Sequence, residues 1–85
     1  MIDFIDVEIY TEKLNDMYAQ IAEYIAADPH NPIIPKLKEM QHTLSLAHYK
    51  SRFYRDAEHF AIWDNLLKQS ERLILEAKVA NIFQQ

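Results

Sequence analysis

"YRDAEHF", residues 54–60, decides how many helices this chain forms. Upstream of it, Leu37, Met40, Leu44, Ala47, Ser51 and Tyr54 recur on one face of a helix. Continuing that face with the same period would bury Glu58, Asn65 and Arg72. The apolar residues instead restart in a new phase, as Phe60, Trp63, Leu67, Ser70, Ile74 and Ala77. A phase break with neither proline nor glycine at it calls for a kink or a short turn near Arg55–Glu58, with Asp56 as the N-cap of the next helix. The chain therefore reads as all-α, a small three-helix bundle with helices over about 6–26, 35–54 and 57–82 in one domain spanning residues 1–85. The competing layout is a helical hairpin whose second arm is long and kinked.

The boundary before the second helix is marked by proline. "AADPHNPIIPK", residues 26–36, holds all 3 prolines, and the chain has 0 glycines. A residue that precedes proline avoids the α-region, so Asp28, Asn31 and Ile34 are pushed toward extended geometry. With no glycine available, Asn31 or His30 must supply any left-handed cap. Pro35 suits a first helical turn, where its missing N–H costs nothing. The run over 28–35 reads as a stiff connector. Before it, Val7, Tyr10, Leu14, Met17, Tyr18, Ile21, Tyr24 and Ile25 share one helical face, and Asp3 or Asp6 can cap the start. The alternation of Ile5, Val7 and Ile9 also permits a short extended start.

Composition narrows the class. A chain of 85 residues with 49% hydrophobic content can fold, but its core is small and its stability margin thin. The cysteine count is 0, which removes thiol chemistry and cysteine metal sites and is compatible with a reducing compartment, so a cytoplasmic location is expected. The acidic start, MIDFIDVEIY, does not read as a signal peptide, and no apolar run reaches membrane-spanning length. The net charge of −4 is uneven: residues 1–28 are acidic apart from Lys13, and residues 36–55 are basic apart from Glu39. The two segments are expected to lie against each other and to pair, so that long-range attraction to nucleic acid is weak.

Candidate chemistry is sparse. "HYKSRFYR", residues 48–55, interleaves Lys50, Arg52 and Arg55 with Tyr49, Phe53 and Tyr54, a mixture that can stack on single-stranded bases. On a helix these side chains point several ways, so nucleic-acid binding is not expected. Glu39 and His42 form a Glu-x-x-His step of the kind found in carboxylate-bridged metal bundles, but only a symmetric dimer could complete such a set, and no metal or other cofactor is expected. The serines lack a base at an evident spacing and no phosphate loop is possible without glycine, so the chain reads as a non-enzyme. The most informative feature is a second apolar line on the third helix. Leu75, Val79 and Ile82 recur at i, i+4, i+7 on the side opposite the Phe60–Ala77 stripe. A helix apolar on both sides needs a second partner.

A family pattern accompanies this layout. Asp28-Pro29-His30-Asn31-Pro32, then Gln41-His42-Thr43-Leu44-Ser45, then Tyr54-Arg55-Asp56-Ala57 resemble in order the turn and second arm of type III secretion needle subunits, over about residues 26–60. The resemblance implies a cysteine-free helical hairpin that polymerises through both helix faces and is held by a chaperone before assembly. In that case Leu75, Val79 and Ile82 would be an assembly surface.

The expectation is a small acidic helical protein that works by binding a partner protein, as an adaptor, chaperone or inhibitor does. The alternatives are a needle-like self-assembling subunit and a dimeric carboxylate–histidine metal bundle. The candidate binding residues are Leu75, Val79 and Ile82, together with Asp6, Glu12 and Asp16 on the acidic first helix. The partner is another protein or a second copy; neither nucleic acid nor a membrane is expected.

Overall fold

A computed structural model describes the backbone of residues 4–54 and 56–84, and the side chains of residues 9–54 and 56–83. Three helices form, α1 over Phe4–Ala27, α2 over Ile34–Lys50 and α3 over Ala57–Gln84, and each packs against the other two. The hairpin with one long bent arm does not form. Tyr10 stacks beside Phe60 at 4.6 Å, and Asn31 reaches the backbone of Ala77, so α3 runs parallel to α1 while α2 runs back between their ends. The result is a rod of 50 × 17 × 17 Å.

The three apolar stripes explain the packing. Tyr10, Leu14, Met17, Ile21 and Tyr24 on α1 are spaced alternately four and three residues apart. So are Leu37, Met40, Leu44, Ala47 and Ser51 from α2, and Phe60, Trp63, Leu67, Ser70, Ile74 and Ala77 on α3. This is the repeat that keeps a seam facing its partners along a gently supercoiled bundle. Leu14, Ile21, Leu37, Leu44 and Ala77 are fully buried. Ser70 is also fully buried, and its hydroxyl donates to the Leu66 carbonyl at 2.8 Å, so it packs as a small satisfied residue. Trp63 is buried with an indole N–H that has no partner among the described residues, at a cost of about 1–3 kcal/mol that its large apolar ring offsets.

The connector works through a side chain and not through a left-handed cap. No residue with positive φ occurs among the described residues, so neither Asn31 nor His30 takes the role expected of it. The prolines hold their own φ near −65°, and Asn31 satisfies the corner with its amide. Its Oδ1 accepts from the Ile33 N–H at 2.9 Å; its Nδ2 donates to Asp28 Oδ2 at 2.8 Å and to the Ala77 carbonyl at 2.7 Å. Asn31 is therefore buried and ties the α1–α2 corner to α3. Tyr24 donates to the same Asp28 carboxylate at 3.4 Å, and its phenol is held above its ordinary pKa by partial burial first and by Asp28 second. Pro35 sits in the first turn of α2, as its chemistry predicts.

Two boundaries differ from the sequence reading. The helix α1 already includes Phe4, so Ile5, Val7 and Ile9 are helical and Asp6 lies inside the helix instead of capping it. Asp3 lies outside the described residues. The helix α2 stops at Lys50, short of the expected end at Tyr54. Ser51 caps it: its N–H bonds the Ala47 carbonyl at 2.8 Å, and its hydroxyl donates to the His48 carbonyl at 2.7 Å while pairing with Thr11 Oγ1 at 2.9 Å. The Phe53 and Tyr54 N–H groups both turn back onto the Lys50 carbonyl. Tyr54 is consequently exposed, not part of the α2 core face, and its ring stacks on His59 at 4.5 Å. Arg55 lies outside the described residues. Asp56 caps α3 as expected, accepting the His59 N–H at 2.8 Å and meeting His59 Nδ1 at 2.7 Å.

Candidate partner-binding surface

The helix α3 carries two faces. The inner stripe ends at Ala77, and the next position in its three-four spacing is Asn81. On the outer face the residues from Ala61 to Arg72 are mixed: Asn65, Lys68, Gln69 and Arg72 lie among Ala61 and Ile62. From Leu75 onward the same face becomes aliphatic. Leu75 is 61% exposed, Val79 51%, Ile82 68% and Phe83 84%. These side chains line up over about two turns, on the side of α3 that looks away from α1 and α2.

Beside this line lies an open groove of about 590 Å³, bounded by Ile33, Arg72, Leu75, Glu76, Val79 and Ala80. Ile33 enters it because the connector is pinned to Ala77 by Asn31. The groove reaches along α3 only as far as Ala80, so the final turn with Ile82 and Phe83 stands clear of the connector. Ile33 and Phe83 were not marked by the sequence reading. Phe83 extends the outer line by one residue and could have been found on periodicity alone. Ile33 comes from a different element and could not.

The acidic candidates lie elsewhere. Glu12 and Asp16 are exposed on α1. Asp16 borders a cleft of about 420 Å³ between α1 and α3, with Lys13, Met17, Asp64, Leu67, Lys68 and Glu71. Lys13 and Lys68 offset much of the negative charge there. The cleft meets α3 between Asp64 and Glu71 and the groove between Arg72 and Ala80, so the two candidate surfaces follow one another along α3 and share no lining residue. The side chain of Asp6 lies outside the described residues.

The described lysines of α2 take no part in the expected pairing of the acidic first segment with the basic second one. Lys36, Lys38 and Lys50 form no ion pair with an α1 carboxylate among the described residues. They are exposed, and the α1–α2 contact is apolar. Tyr49, Phe53 and Tyr54 are exposed where α2 meets the turn, with the Tyr49 and Phe53 rings 5.3 Å apart. Glu39 and His42 are exposed on α2, and Glu39 borders a shallow groove with Met40, Thr43 and Leu73. Among the described residues no three histidines or carboxylates gather as a metal site would require. No helix of the described residues is long and apolar enough to cross a membrane.

Among the described carboxylates, Asp56 shows a clear shift below its ordinary value, caused first by the His59 backbone N–H and then by the His59 side chain. That belongs to the cap of α3 and lies at the end of the rod opposite the aliphatic line. Comparison with family models, with curated proteins and with solved structures finds no match to this chain.

Proposed function

We propose that this chain is a protein–protein interaction module whose working surface is the aliphatic face near the C-terminal end of α3. One observation carries the reading: Leu75, Val79, Ile82 and Phe83 form a contiguous exposed line on a helix that already buries its opposite stripe. Large apolar side chains grouped this way are uncommon on a surface with nothing to meet. The groove at Ile33 gives the line a concave margin, which suits side chains from a partner better than a flat surface does. The exposed carboxylate of Asp16 sits at the rim of a separate cleft and Glu12 is exposed on the same helix, where charge acts on approach and orientation more than on affinity.

A photocrosslinking residue placed at Val79, with another at Glu12 for comparison, tests this in cells. The reading expects a discrete adduct from position 79 that disappears when Leu75 is changed to Ser. An adduct from position 12 alone would move the working surface to α1.

A second reading is a self-assembling subunit, as the needle-like resemblance implies. The shape favours it: a 50 Å rod carries exposed apolar groups at both ends, Tyr49 and Phe53 at one and Ile82 and Phe83 at the other. Such a subunit would join end to end and grow without limit.

A further inference from the structure

We propose that the occupant of the aliphatic face of α3 is a second copy of this chain, paired antiparallel about a two-fold axis near Val79; this rests on reading that face as the binding surface. Four features of the face make it complementary to itself.

The first is a protrusion beside a hollow. Phe83 stands 84% exposed on the final turn, while Leu75, Val79, Ala80 and Ile33 border the groove. A two-fold axis lets each copy place its protrusion in the other's hollow, and it closes the assembly at two. The second is spacing. Phe83 and Leu75 each lie four residues, about 6 Å, from Val79. Crossing at Val79 therefore sets the Phe83 of one copy at the level of the Leu75 of the other. The third is charge. The last turn of α3 holds no basic side chain, so the negative end of its dipole has no cation in its own last turn. Arg72 borders the same groove, seven residues or about 10 Å before Val79. The partner's final turn extends about 7 Å past the crossing point, which leaves a gap that an arginine side chain spans. Each Arg72 would then cap the other copy's α3. The fourth is clearance. The outer face looks away from α1 and α2, so the two bundles extend in opposite directions from the contact.

The patch comprises about five apolar side chains per copy, smaller than the roughly 800 Å² per partner of a standard stable interface. The pairing is accordingly at the weak, transient end of such contacts.

Sedimentation equilibrium from about 1 μM to 1 mM covers that weak range. The expected result is a mass that rises from one chain to two and stops there. Val79→Glu should hold the protein at one chain, Phe83→Ala should weaken pairing at least tenfold, and Arg72→Glu should weaken it several-fold while Arg72→Lys restores most of the loss. A wild-type protein that stays at one chain throughout overturns the second copy as occupant and leaves the binding surface standing for a foreign partner. Growth beyond two overturns the closed pairing in favour of end-to-end assembly. A dimer that survives Val79→Glu overturns this seam. If Val79→Glu and the milder Val79→Ser both lower helix content and melting temperature in dilute solution, the face is core, and the binding reading itself fails.

Discussion

Trp63, Ser70 and Ala77 are buried along one side of α3, whereas Leu75, Val79 and Ile82 are exposed along the other. The buried stripe mixes the large ring of Trp63 with the hydroxyl of Ser70 and the methyl of Ala77; the exposed line is built from aliphatic side chains larger than the last two. Size and hydropathy therefore do not decide which residues form the core of this rod. The three-four spacing does, because it sets which side of α3 meets α1 and α2 along the whole contact. The small residues inside allow the helices to approach closely. The large residues outside contribute little to folding, which frees them for a contact the single chain does not make.

The sharpest way to break that comparison is to remove side chains from each face. Leu44→Ala empties a fully buried position of α2 and should cost about 2–5 kcal/mol, read as a fall in melting temperature. A chain of this size loses about 4–8 °C per kcal/mol. If Leu44→Ala melts like the wild type, the core is not where the stripes place it. Asn31→Ala should come next, at about 1–3 kcal/mol. It strands the Ile33 N–H and removes the second hydrogen bond to the Ala77 carbonyl, which keeps only its helical one. Asn31→Asp should be no milder, since it loses the donor to Ala77 and sets a second carboxylate beside Asp28.

A smaller effect belongs to the start of α3. The Asp56 carboxyl is held below its ordinary range in the folded chain, so its contribution is complete above the ordinary carboxylate pKa of about 4 and is lost as pH falls through the lower folded value. Asp56→Ala should lower the melting temperature slightly near neutral pH and make no difference in strong acid. An equal difference at both ends of the pH range would mean that the cap acts by packing, not by accepting the His59 N–H. The smallest change in stability is expected on the outer face: Leu75→Ser with Val79→Ser should stay within about 0.5 kcal/mol, measured in dilute solution where the chain is alone.

Much of this was legible in the sequence because periodicity carries it. The α1 stripe, the inner stripe of α3 and the Asp56 cap come from spacing and from one short carboxylate in the right place. The exposed line was legible for the same reason: Leu75, Val79 and Ile82 fall out of phase with the stripe that closes the bundle. The end of α2 was not. Ser51 continues the apolar stripe in register, yet its hydroxyl turns back on the His48 carbonyl and meets Thr11, and the helix stops there. Tyr54 is carried out of the core with it. The role of Asn31 was also hidden, since it depends on a carbonyl 46 residues away. The contrast of acidic and basic segments does not reach the described lysines of α2, Lys36, Lys38 and Lys50, which pair with no described α1 carboxylate, because a segment's net charge does not tell which way its side chains face.

The central claim is tested most directly by methyl and amide NMR shifts tracked across a concentration series. Leu75, Val79, Ile82 and Ile33 are predicted to move together as concentration rises, while Leu14, Leu37 and Leu44 stay fixed. Shifts concentrated in Leu14, Leu37 and Leu44, or none on the outer face of α3 at any concentration, would contradict it.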